Sequence, residues 1–199
     1  MKKMILFFLV LVFITTPSFA RIYILIDQAS DKKFPIAVPD FVSESGGSAS
    51  GVSKSMVELI QKDLNIADFF QVLDDALLPN RDNDVTNINF AKWQALEVGA
   101  LIKGVVSKGD GGQRIQLRLY DVPEKIQILA KEYIVTSKNY VSTAHKFVDD
   151  VMLALTGKRG PFHSQIVGSC GARFKRRLAY FQMDSEKAPG AYSKGGVNP

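Results

Sequence analysis

The stretch that most constrains this chain is Tyr140 to Ile166, YVSTAHKFVDDVMLALTGKRGPFHSQI. Its apolar residues are Ala144, Phe147, Val148, Val151, Met152 and Leu155. Their spacing puts them on one face of an α-helix and makes a poor strand pattern. Ser142 is the expected N-cap, with its hydroxyl over the first unpaired amides. Gly157 is the expected stop, because glycine enters the left-handed C′ conformation without a Cβ penalty. A helix of about four turns with one apolar face must lie on a sheet or on another helix. The rest of the chain has to supply that partner.

The chain opens MKKMILFFLVLVFITTPSFA. Lys2 and Lys3 form a basic start, Met4 to Ile14 an apolar core, and Pro17 a helix break. Ser18 and Ala20 place small residues where a signal peptidase requires them, so export with cleavage after Ala20 is expected. The apolar run is shorter than the ~20 residues of a membrane span. No cysteine stands at the cleavage site, which excludes a lipid anchor there, so no stable membrane anchor is expected after cleavage. The leader takes two lysines with it and lowers the formal charge of +5 by two. Much of the remaining excess lies in Arg173, Lys175, Arg176 and Arg177. A nearly neutral main body with an export signal is not a nucleic-acid footprint. Cys170 is the single cysteine, so no internal disulfide can form and the fold must stand on an ordinary core.

Phe34–Val38 reads as a buried strand with Pro35 at its start, and residues 43–50 as a Gly/Ser loop. Ser53–Asp68 has helical spacing, with Asp63 as a polar intruder on the apolar face. Phe69–Leu73 reads as a strand, and Phe90–Val98 as a short helix stopped by Gly99. Ala100–Val106 and Gln113–Asp121 are strands joined by the hairpin turn Lys108-Gly109-Asp110-Gly111-Gly112. In the second of them Ile115, Leu117 and Leu119 should face inward, and Gln116, Arg118 and Tyr120 outward. Ile128–Thr136 is a fifth strand. The order predicts an α/β fold with a mixed five-stranded sheet covered by about three helices, parallel at first and antiparallel at the hairpin. Gln165–Ser169 and Leu178–Met183 could pair in another sheet, and residues 185–199 have little to bury.

The residues that could carry chemistry mostly have blander readings. His145 and Asp149 stand four apart on the helix, but a metal site needs at least three ligands, and His163 lies past the helix stop. They read as a helix-surface pair. Asp149 and Asp150 point about 100° apart, so they cannot flank one bond, and a solvated face is expected. The glycines at 109, 111 and 112 precede a strand rather than a helix N-terminus, which favours a turn over a phosphate cradle. Cys170 has no nearby candidate base. No catalytic residue, cofactor or metal is expected, and nothing points to an enzyme. The feature with most promise is Arg21-Ile22-Tyr23-Ile24-Leu25-Ile26-Asp27, an extended β-prone run at the exported terminus. Such a segment can add itself to the edge of another protein's sheet, or it can be a strand of its own sheet.

Several scattered pieces, in order, carry a resemblance. They are Ile24-Leu25-Ile26-Asp27, Pro35-Ile36-Ala37-Val38, Asp63-Leu64, Phe70, Leu73-Asp74, Trp93, Gly104 and Leu119 to Asp121. The series closes on Ala144-His145, Asp149, Leu155-Thr156-Gly157, Gly160, Phe162 and Ile166. Together they resemble the amino-terminal domain of the TolB family, periplasmic proteins of the Tol–Pal envelope system in Gram-negative bacteria. The resemblance implies an α/β domain like those of anticodon-binding domains. It also implies an adaptor role, with the first residues after the leader, Arg21 to about Asp31, binding TolA. It further implies a part in outer-membrane integrity, cell division and colicin import. The family continues into a six-bladed β-propeller of which this sequence shows no repeat, and Gln165–Asp184 resembles only the opening of a first blade. The family's Pal site lies on the propeller, so Pal binding is in doubt on that ground. The expected organisation is a signal peptide at 1–20, a TolA-box-like segment at 21–33, the α/β domain at 34–164, a blade fragment at 165–184 and a tail at 185–199. Two rival readings are a truncated remnant without a partner and a small-molecule binder using the sheet crevice.

Overall fold

A computed structural model describes residues 33–47, 49, 51–79, 88–170 and 177–182. Its framework is a mixed sheet of six strands: β1 (Phe34–Ala37), β2 (Val42–Ser43), β3 (Phe70–Val72), β4 (Ala100–Gly109), β5 (Gly112–Asp121) and β6 (Ile126–Val135). The order is β3-β1-β4-β5-β6, with β2 also beside β4. β1 runs parallel to both β3 and β4, and β5 and β6 continue antiparallel. Among the described residues the α-helices are α1 (Val52–Ile66), α2 (Phe90–Gln94) and α3 (Tyr140–Thr156). The α/β class and the mixed sheet agree with the expectation.

The antiparallel half follows from its turns. β4 and β5 are joined at Asp110-Gly111, with Gly111 at φ 82°, a conformation glycine enters freely. Both strands run longer than their apolar residues alone suggest, because the ladder carries Ser107 and Lys108 up to the turn. The β5–β6 connection is tied by the Asp121 carboxylate, which accepts from the Glu124 amide at 3.0 Å.

The parallel half is organised by handedness. β1 passes through α1 to β3 on one side, and β3 returns through α2 to β4 on the other. Right-handed crossovers that reverse direction place their helices on opposite faces of the sheet. α1 and α3 accordingly cover one face, where Met56, Ile60, Leu64, Phe147, Val148, Val151 and Leu155 bury against Ile36, Ile102, Ile115, Leu117 and Leu119. α2 covers one end of the other face, where Trp93 packs with Ala37, Val98, Leu101, Tyr120 and Val122. This second cluster corrects the outward reading of Tyr120, which is 7 % exposed and meets Phe90 edge to face.

β2 was not expected from a two-residue run before a Gly/Ser loop. It forms because Phe41 is pinned under it: the ring is buried and lies where a Cβ on Gly104 would stand, 2.5 Å away. The chain reverses direction in strand order between β1 and β4, the place where open α/β sheets leave a ligand crevice. Here Phe41 and β2 fill it. A solvent-open groove of about 590 Å³ lies beyond, lined by Ser43, Ser45, Ser107, Lys108 and Gln113 among others.

α3 ends as expected, with Gly157 left-handed at φ 73°. Its start is different. The helix begins at Tyr140, and the cap position is Asn139, whose side chain makes no bond into the helix. Asn139 instead accepts from the Thr136 amide at 2.7 Å, and the Ser142 hydroxyl donates to the Asn139 carbonyl at 3.1 Å. Ser142 therefore caps nothing. The side chain of Asn139 is held by the turn that leaves β6, which overrides its local use at the helix.

After α3, β7 (Gln165–Cys170) and β8 (Arg177–Gln182) pair antiparallel as a separate hairpin. Cys170 is the last residue of β7, opposite Arg177.

Candidate functional site

The expected binding residues Arg21, Ile22, Tyr23, Ile24, Leu25, Ile26 and Asp27 lie outside the described residues, which begin at Lys33. The structure does describe the root of that segment. The β1 ladder begins at Phe34, in register with Phe70, the first residue of β3. The Phe34 amide donates to the Phe69 carbonyl at 2.8 Å, and the Lys33 ammonium pairs with the Asp68 carboxylate. The Phe34 ring meets Phe70 edge to face and lies where Gly99 leaves no room for a Cβ. The point where the segment joins the domain is therefore tightly packed, at the start of a strand flanked on both sides.

The candidate chemical residues on α3 are buried, contrary to the surface reading. His145 is 1 % and Asp63 0 % exposed, and His145 Nδ1 lies 2.7 Å from Asp63 Oδ2 across the α1–α3 contact. The polar intruder on α1 and the histidine on α3 are thus one pair, linking two helices through residues 82 apart in sequence. Asp149, 3 % exposed, accepts from the amides of Phe162 and His163, each at 3.0 Å. Asp150, 7 % exposed, pairs with Arg159 at 3.2 Å and Lys131 at 3.5 Å. The solvated-face expectation fails because the chain after Gly157 folds back over this side of the helix. His145 and Asp149 do not converge on one point, and among the described residues no three His, Cys, Asp or Glu side chains are arranged to hold a metal ion. Near Asp150, Tyr133 on β6 titrates late: burial, then the negative charge of Asp150, push its hydroxyl up to about 12.

Each of these groups is paired within the domain itself, and comparison with known proteins adds what the contacts alone do not. The sequence profile of the TolB amino-terminal domain matches residues 22–128. The chain belongs to the TolB amino-terminal domain family. The TolB match includes Ile22 to Asp27, so the segment ahead of β1 is part of the family's domain. Proteins named Tol-Pal system protein TolB are similar over nearly the whole chain. The one from Hydrogenovibrio crunogenus is 31% identical over 97% of this chain and 42% of its own length. The one from Orientia tsutsugamushi strain Ikeda is 30% identical over 98% of this chain and 45% of its own length. The chain thus spans less than half the length of these TolB relatives. The crystal structure of TolB from Acinetobacter baumannii superposes with a TM-score of 0.64 at 22% identity, covering 79% of this chain and 38% of that one. That likeness shows the TolB fold. Among the described residues no helix is long and apolar enough to cross a membrane.

Proposed function

We propose that this chain is a periplasmic adaptor of a Tol–Pal envelope system and that it binds a TolA-like periplasmic domain through Arg21–Asp27. Residues 1–20 act as an export leader, 21–33 as the handle, 34–164 as the α/β domain that carries it, and 165–184 as the opening of a propeller-type unit before a short tail. The handle works by strand addition. Its alternate backbone amides and carbonyls bond the free edge of the partner's sheet, while Ile22, Ile24 and Ile26 fix the register on one side and Tyr23 and Leu25 on the other.

The observation that carries this reading is the family match, which begins at residue 22, inside the handle and ahead of the sheet. The anchored root at Phe34 supports it, because a handle transmits load only if its attachment does not give way. The reading extends to outer-membrane integrity, cell division and colicin entry as roles of the system that the adaptor serves. The proposed role is that of an adaptor and involves no catalysis.

The test is a titration of a periplasmic TolA domain with the mature chain and with the same chain lacking residues 21–31. Binding by the first and none by the second supports the handle. Equal affinity for both removes it.

A further inference from the structure

The closing motif of α3 resembles the family, yet no binding role explains its residues. The structure assigns them a mechanical one. Gly157 turns the chain left-handed at φ 73°, and its amide still donates to the Leu153 carbonyl at 3.0 Å. The Thr156 hydroxyl donates to the Met152 carbonyl at 2.7 Å and accepts from the Lys158 amide at 3.2 Å. Arg159 reaches back to Asp150. Gly160 passes so close to α3 that a Cβ would stand 2.5 Å from Asp149 Oδ1 and 2.6 Å from Met152 Sδ. Phe162 then buries to 2 % exposure in the main core, and Asp149 takes its amide and the next one, one oxygen to each. Most steps between residues 156 and 163 are thus fastened to the last two turns of α3, by a covalent neighbour, a charged acceptor or an apolar anchor.

We propose that residues 156–163 form a clasp that makes the exit from the α/β unit a rigid joint, with Asp149 as its positioning residue. A helix normally ends in a glycine and hands over to a pliable loop. Here the backbone is caught again within six residues of the glycine, two residues before β7 begins at Gln165. The clasp therefore carries the β7–β8 hairpin, and any chain that follows it, at one angle to α3. The side chain suits the task. A carboxylate accepts only, and its two oxygens serve two successive amides, whereas an asparagine would offer one acceptor and turn a donor on the second amide. Burial raises the worth of the bond to Phe162 most, because that amide and the carboxylate are buried, while the bond to His163 is part-buried.

The experiment uses the mature chain and two readouts. Amide hydrogen exchange followed by NMR reports the clasp itself. The amides of Phe162 and His163 should be protected in the wild type and should exchange at least about tenfold faster in Asp149→Ala, the loss expected for bonds to a charged acceptor. In Asp149→Asn the loss should be concentrated at one of the two. Amides of β4 and β5 should not change, which separates opening of the clasp from loss of the fold. Residual dipolar couplings report the joint. One alignment tensor should fit both the α/β unit and the hairpin in the wild type, and two should be needed in Asp149→Ala. Should Asp149→Ala lower protection everywhere, Gly160→Ala provides the second test, since its Cβ displaces the same carboxylate from the other side. Unprotected amides at 162 and 163 in the wild type, or a single tensor that survives both substitutions, would overturn the proposal.

Discussion

Removing one member of the buried pair between α1 and α3 should cost more stability than removing both. Asp63 and His145 are 0 % and 1 % exposed and 2.7 Å apart, so neither has bulk water to fall back on. Taking away one partner of such a pair costs about 3–5 kcal/mol, because the other is left as a buried polar group without its main compensation. Replacing both by apolar side chains of similar total volume is often neutral or better, because the cost of desolvating the polar groups vanishes with them. His145→Leu and Asp63→Ala make a suitable pair, since the larger leucine offsets the smaller alanine. The core that α1 and α3 share includes Met56, Ile60, Leu64, Ala144, Val148 and Val151, apolar side chains that can close around the replacements. We expect each single variant to lose about 3–5 kcal/mol in urea unfolding, and the double variant to lose less than either. Against a total stability on the order of 5–15 kcal/mol, each single change should move the midpoint far beyond error. Purely additive losses, or single variants that lose less than about 1 kcal/mol, would refute the claim that the two side chains act as one unit.

Other substitutions test other parts of the fold. Gly104→Ala would put a Cβ 2.5 Å from the Phe41 ring, so we expect a loss of about 1–3 kcal/mol by chemical unfolding; trimming the ring in Phe41→Leu should relieve part of the clash in the double variant. Absorbance at 295 nm after a rapid pH jump should show Tyr133 ionising near pH 12, and Tyr133→Phe should remove that step alone. The folded hydroxyl holds its proton more tightly than the unfolded one, whose ordinary value is 10.0. Its contribution to stability is therefore complete below pH 10 and is lost as pH rises toward 12, and a rise in stability over that window would contradict the assignment.

What could be read from the residues was whatever depended on near neighbours. The α3 face repeats at helical spacing and ends on a glycine, and both features survive in the structure. The β4–β5 hairpin was legible because Gly111 supplies the one backbone angle the turn needs. What could not be read depended on residues far away. Asp63 looks like a fault in an apolar face until His145 arrives from the other helix. Asp149 and Asp150 look solvated because nothing local reveals that the chain doubles back to give Phe162 and Arg159 to them. Tyr120 alternates outward as expected, but α2 waits on that side. β2 exists because one glycine on β4 leaves space for one ring. Asp63 alone gave a local cue, since it broke the apolar pattern of its helix and proved to have a distant partner.

The adaptor reading turns on whether the mature terminus becomes a strand of somebody else's sheet. The direct measurement is amide exchange across Ile22–Asp27 in the mature chain, alone and saturated with a TolA-like periplasmic domain. Strand addition predicts that every second amide of this run gains strong protection in the complex, while amides of β1, β4 and β5 keep the values they had before. Binding that leaves Ile22–Asp27 exchanging as freely as before, with new protection elsewhere on the domain, would contradict it.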